Sequence, residues 1–222
     1  MKKIRKLTVL IMAMLLFASV PVTAHAGVTA NVTKIIKYLR AGKIYQADKI
    51  AQKLPKEYAP EKCISTMTKA QKKAYRKIIK RHVKYDADGY PSTGYYLTDI
   101  DNDGSAELIV HKGAYMFARY YFYTYKKEKV IKLGNFYNRL AVLSACPNRT
   151  GVLLMWVHEG VRNVVFLTIK NGKIHRESLA TWTPNRSFTS LKHADVDLNY
   201  PWMEEYNVSV QGNKIVDWAD LK

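Results

Sequence analysis

The chain is expected to be an α+β protein, with about three N-terminal helices followed by an antiparallel β-meander of roughly eight to ten strands. Three observations predict this. Apolar residues recur at three-and-four spacing as far as about residue 83, which is the signature of amphipathic helices. The segment 85–93 then turns to Asp, Gly, Pro and Ser, a composition that breaks regular structure. Beyond it come short apolar and aromatic runs separated by turn signals, of which Asn171-Gly172 is the strongest hairpin mark.

The first 26 residues read as a secretory signal peptide. Lys2, Lys3, Arg5 and Lys6 precede an apolar run that ends in small residues, with Ala24-His25-Ala26 as the cleavage site. The run is too short for a retained membrane span, which needs about 20 apolar residues. Cleavage leaves a helical region at 27–84 and a β domain at 85–222. The expected location is secreted, extracellular or bound to the cell wall. The formal charge of +18 falls to +14 when the four leader cations are removed, so the product stays strongly basic. Such a surface is drawn to polyanions, here an anionic wall polymer or glycan, with a protein ligand as the other expected partner and no specific nucleic acid. Cys63 and Cys146 are the only cysteines. In an oxidising compartment they either pair or remain two thiols, and the sequence leaves that open.

Val32, Ile35, Ile36 and Leu39 lie on one face of a helix over 31–40, and Gly42 ends it. A second helix over 43–54 carries Ile44, Ala47, Ile50, Ala51 and Leu54, and Pro55 stops it, giving a helical hairpin. Thr68 and Gln71 have the spacing of a capping box that opens a third helix. Ala74, Tyr75, Ile78, Ile79 and Val83 form its apolar face, with Lys72, Lys73, Arg76, Lys77, Lys80 and Arg81 opposite. A solvated surface is the commoner reason for such a basic face, and binding to a polyanion is the other.

Strands are expected at 95–98, 107–111, 114–125, 130–133, 140–145, 151–157, 161–170 and 174–182, and a last hairpin at 206–210 and 214–218. Residues 183–202, with Pro184 and Pro201, read as a long loop. In the aromatic strand, alternation places Tyr115, Phe117, Tyr121, Tyr123 and Tyr125 on one side and Tyr120 and Phe122 on the other. At least one side is core; an exposed one would suit stacking on sugar rings. Two blade-like stretches leave room for a partial propeller, and a bent sheet or partial barrel is equally allowed.

One stretch commits to a chemistry. Asp99, Asp101 and Asp103 stand at alternate positions, Gly104 follows, and Glu107 closes the segment where the sequence turns apolar. Calcium takes six to eight oxygen ligands, so a loop that binds it must turn several carboxylates inward within a few residues. The three aspartates, the carbonyl of Ser105 and Glu107 are the expected metal ligands, and Gly104 permits the sharp turn. An EF-hand is excluded, because counting from Asp99 its twelfth position is Val110, inside a strand. Four carboxylates so close repel unless a cation or a set of donors compensates them. The alternative is that lysines and turn amides do this without a metal.

The motif resembles the D-x-D-x-D-G-x-x-D/E calcium loops that join two strands in integrin-type repeats of the FG-GAP and VCBS kind. It is also similar to a loop of secreted proteins from gut Firmicutes. The resemblance covers residues 95–133 and implies a bound Ca2+ held by the acids at its first, third, fifth and ninth positions, here Asp99, Asp101, Asp103 and Glu107.

Catalytic motifs are sparse. His158-Glu159 begins like a zinc-protease helix, but Arg162 stands where the second histidine is required. Neither a G-x-S-x-G nor a P-loop pattern occurs. Cys146 with His158 or His175 is a weak thiol pair, and His82, His111 and His193 show no ligand spacing. The expected function is therefore a secreted, non-enzymatic calcium-binding module that displays a binding surface. The alternatives are an extracellular hydrolase of wall or glycan polymers, using His158, Glu159 and Asp195 or Asp197, and a basic polyanion-binding surface protein.

Overall fold

A computed structural model describes residues 22–54, 66–83, 92–113, 118–137, 141–146, 151–158, 161–182, 203, 205–211 and 214–216. Three helices come first: α1 (Val22–Arg40), α2 (Ile44–Ala51) and α3 (Lys69–His82). The first starts earlier than the periodicity suggested and runs through the expected cleavage site, while its described buried residues, Val32, Ile35, Ile36 and Leu39, are the four read from the sequence. It stops at Gly42, which takes φ +67°. There the Gly42 amide donates to the Leu39 carbonyl at 3.0 Å and the Lys43 amide to that of Tyr38 at 2.8 Å, a Schellman end that a Cβ would strain.

The strands make two meanders. The first contains β1 (Thr93–Thr98), β2 (Glu107–Lys112), β3 (Arg119–Lys126) and β4 (Lys129–Tyr137). The second contains β5 (Val142–Ala145), β6 (Val152–His158), β7 (Val161–Lys170) and β8 (Lys173–Trp182). Every pairing in both is antiparallel and between chain neighbours. Asn171-Gly172 makes the β7–β8 turn with φ +52° and +68°. Lys127-Glu128 makes the β3–β4 turn in the same left-handed region, without a glycine. The aromatic strand starts at Arg119, and residues 114–117 lie outside the described part of the chain.

The C-terminal hairpin is not the one expected. Tyr206–Asn207 (β9) leaves it to pair with β1, and only β10 (Ser209–Gln211) and β11 (Lys214–Val216) form the ribbon. An open β1 edge would leave unpaired backbone groups, and β9 covers part of it. The Val208 amide donates to the Thr93 carbonyl at 3.1 Å, and Tyr206 stacks on Tyr95 with ring centroids 5.1 Å apart. The first sheet therefore has five strands in the order β4-β3-β2-β1-β9. The described strands form separate sheets and not a closed barrel.

Side-chain parity stacks these elements in four layers. Tyr96, Ile109, Tyr120 and Phe122 point from the first sheet toward Leu143, Val152, Leu154, Val165 and Leu167 of the second. Their neighbours Tyr95, Leu97, Leu108, Val110 and Tyr123 point the other way, onto Tyr75 and Ile79 of α3. On the far side of the second sheet, Leu153, Val164, Phe166 and Leu179 receive the apolar faces of α1 and α2. The middle strands of both sheets are thus covered on both faces, and both sides of the aromatic strand are core. The sheets approach closely where β4 meets β8: a Cβ on Gly134 would lie 2.7 Å from Ile174 Cγ2.

Candidate metal centre

The register of β1 and β2 places Thr98 opposite Glu107, so residues 99–106 form an excursion from the end of a two-strand ladder. The chain reverses sharply within it, with Asn102 at φ +60° and Gly104 at φ +84°. The turn is held by its own first acid. Asp99 is buried; its Oδ1 accepts from the Asp103 amide at 3.1 Å and its Oδ2 from the Gly104 amide at 3.0 Å.

Glu107 is completely buried. Its Oε2 accepts from the Ile100 amide at 2.7 Å and its Oε1 from Thr124 Oγ1 at 2.9 Å. Each carboxylate oxygen has two lone-pair sites, so both retain acceptor capacity after these bonds. Asp99, Asp101 and Glu107 each contribute one oxygen to a group whose members lie within 4.8 Å of one another. Two oxygens on opposite sides of a calcium ion are about 4.6–5.2 Å apart, so one ion spans this group. Asp101 Oδ1 is buried and has no hydrogen-bond partner, an orphaned acceptor of the kind that a cation satisfies.

Electrostatics match that geometry. Burial pushes the Glu107 carboxyl up to about 8; Asp101 and Asp103 push the same way, and the bonds from Ile100 and Thr124 oppose them. A divalent ion would reverse the balance by compensating the negative charge. The group can therefore hold a metal ion through hard oxygen donors.

The side chains of the other two expected ligands, Asp103 and Ser105, make bonds of their own at the rim of this group. Asp103 Oδ1 accepts from the Ser105 amide at 2.9 Å, and its Oδ2 lies 3.0 Å from Lys126 Nζ. The same ammonium lies 3.3 Å from Asp101 Oδ2. Ser105 Oγ accepts from Gln71 Nε2 at 3.2 Å.

Four residues around the loop escaped the sequence reading. Gln71 entered it only as a capping residue. Thr68 Oγ1 does accept from the Gln71 amide at 3.1 Å, but the Gln71 side chain reaches the loop instead of the helix start. Tyr75 was read as core, and its hydroxyl donates to the Ala106 carbonyl at 2.7 Å. Thr124 is the one small, β-branched residue in an aromatic strand, and that contrast is its available signal. Lys126, the last residue of β3, carries no sequence signal for a place beside the loop.

The remaining candidates do not assemble into a catalytic site among the described residues. His82 Nε2 bonds to the Tyr123 hydroxyl at 2.6 Å, and its ring packs on Tyr121. His111 Nδ1 lies 2.9 Å from Glu205 Oε1, whose Oε2 accepts from the Tyr96 hydroxyl at 2.8 Å. Cys146 is buried beneath the α1–α2 hairpin. Cys63, Glu159, His193, Asp195, Asp197 and the side chain of His158 lie outside the described residues.

No family model matches the chain, and neither curated proteins nor solved structures show significant similarity to it. Among the described residues no helix is long and apolar enough to cross a membrane.

Proposed function

We propose that the protein is a secreted, non-enzymatic calcium-binding module in which one ion clamps β1, the acidic loop and β2 into a rigid unit of the β domain. The observation that carries this reading is the convergence of buried Asp99 and Glu107 with half-buried Asp101 on one point. Oxygen-only donors in a tight turn suit calcium, with the Ser105 carbonyl, Asp103 and water completing the shell. Extracellular modules commonly bind with dissociation constants of about 0.1–1 mM. At ten times the dissociation constant the ion adds roughly 1.4 kcal/mol of stability. For a chain of this size that raises the melting temperature by about 3–6 °C. Calorimetric titration and thermal melts of the metal-stripped protein test the reading: absence of both heat and a melting shift at millimolar calcium would overturn it.

A second reading is favoured by one surface. Lys73, Lys77, Lys80 and Arg81 are exposed on α3, and among the described residues none is in an ion pair. In this reading the helix presents a cationic row to an anionic wall polymer. Neutralising Lys77, Lys80 and Arg81 together should then lower the salt concentration that elutes the protein from heparin; unchanged elution excludes the helix as the binding face.

A further inference from the structure

At the end of the first sheet remote from the acidic loop, a cavity of about 330 Å3 is lined by Arg119, Asn135, Phe136, Tyr137, Trp156 and Arg176. Its residues come from β3 and β4 of one sheet and β6 and β8 of the other, so it opens where the two sheets meet. Arg119 begins β3 and Lys126 ends it. Seven residues of extended chain place the cavity about 23 Å from the loop.

The side chains present a consistent chemistry. The Arg119 guanidinium lies over the Tyr137 ring, 4.0 Å from its centroid, and that of Arg176 lies over Phe136 at 4.8 Å. Stacking on a ring fixes each planar fork without consuming its donors. Arg119 donates one bond, from Nη1 to Asn135 Oδ1 at 2.9 Å, which orients it further. Among the described residues neither arginine has a carboxylate partner, so two ordered cations face the same cavity with their charge uncompensated. Tyr137 is 56% exposed at the mouth, and Trp156 is half-buried.

We propose that this cavity binds a uronic-acid residue of an anionic glycan, its carboxylate held by Arg119 and Arg176 and its pyranose ring laid on the exposed aromatic surface of Tyr137 and Trp156. Three arguments select this occupant. A guanidinium fork matches a planar carboxylate with two parallel hydrogen bonds. The volume is at the lower end of the roughly 300–1,000 Å3 typical of small-ligand sites, which fits a single sugar ring. The Asn135 amide stands beside the rings and supplies both a donor and an acceptor for sugar hydroxyls. The site owes nothing to the acidic loop, and it differs from the α3 surface in requiring shape as well as charge.

The test is titration of the full chain at fixed calcium with a trimer of galacturonate, followed by calorimetry and tryptophan fluorescence. The trimer should bind, and the neutral galactose trimer should bind at least ten-fold more weakly. Arg119→Met and Arg176→Met should each weaken binding at least ten-fold with unchanged melting temperature, and Trp156→Phe should remove the fluorescence change. Neutralising Lys77, Lys80 and Arg81 should leave the affinity as it is. Failure of the wild-type chain to bind, equal binding of the neutral trimer, full binding by the double arginine variant, or displacement by equimolar inorganic phosphate would each overturn the proposal.

Discussion

The side-chain amide of Gln71 donates to the carbonyl oxygen of Ala106 at 3.1 Å, joining α3 to the residue just before the buried Glu107. The Tyr75 hydroxyl donates to the same oxygen. One acceptor with two donors tolerates the loss of either but not of both. Gln71→Ala and Tyr75→Phe should each cost about 1 kcal/mol, near the usual worth of one bond. The double variant should cost more than the sum, because the buried carbonyl is then left without a donor. Urea denaturation of the four proteins measures the coupling.

Glu107→Gln separates the metal role of this side chain from its structural one. Calcium affinity should fall at least ten-fold, a loss of roughly 1.4 kcal/mol or more. Without metal the variant should match the wild type below pH 4.5, where the carboxyl is protonated in both states, and be the more stable of the two at pH 7, where the wild type must take up a proton to fold. The sign of the pH dependence follows. Between its ordinary value of 4.5 and about 8 the native side chain holds a proton that the unfolded one has lost. Stability of the metal-free wild type therefore declines as pH rises through that window, and the variant should lack this decline in melts taken with a chelator.

Lys126 sits where a divalent ion would compete with it, 3.3 Å from Asp101 and 3.0 Å from Asp103. Its hydrogen bond to Asp103 raises its own proton affinity, so the ammonium stays charged and opposes a second cation. Lys126→Gln should raise calcium affinity roughly three- to ten-fold, the scale of one half-exposed charge at short range. It should also enlarge the calcium-dependent melting shift. Unchanged affinity in calorimetry would show that the ion does not approach this side of the loop.

His82 predicts an acid-sensitive contact under α3. Burial, reinforced by Lys112 and Lys132, pushes its ring down from 6.5 to about 4. The native state therefore resists a proton that the unfolded state accepts. Its contribution to stability is complete above pH 6.5 and erodes as the pH falls toward about 4. His82→Phe loses the bond to Tyr123 and should be less stable at pH 7. Its deficit relative to wild type should shrink as melts are taken from pH 6.5 down to 4.

Much of this architecture could be read from local pattern, because local pattern made it. The split of Tyr120 and Phe122 from Tyr121, Tyr123 and Tyr125 follows from the two-residue repeat of a strand, and both sets lie where alternation puts them. Gly42 and Asn171-Gly172 mark conformations that other residues enter at a cost. What could not be read depends on partners distant in sequence. β9 is two residues long, too short for any periodicity, and exists because β1 presents an edge. Thr124 reaches Glu107 because the β2–β3 register sets Leu108 against Tyr123, and Lys126 reaches the loop along the same strand. Alternate aspartates announced an acidic centre, while the helix, the hydroxyl and the ammonium that surround it were set by tertiary contact. Of the expected ligands Asp99, Asp101 and Glu107 converge, and Lys126 lies against both Asp101 and Asp103.

Gly134 lies in β4 at φ +153°, and the space its side chain would occupy is filled by Ile174 of β8. A single methyl group at this position would act as a wedge driven between the two sheets. Two residues along each strand lie Phe136 and Arg176, whose ring and guanidinium meet across the same seam. The mouth of the cavity is thus gauged by one hydrogen atom: widening the seam there would part the cation from the ring that orients it, leaving the core on either side intact.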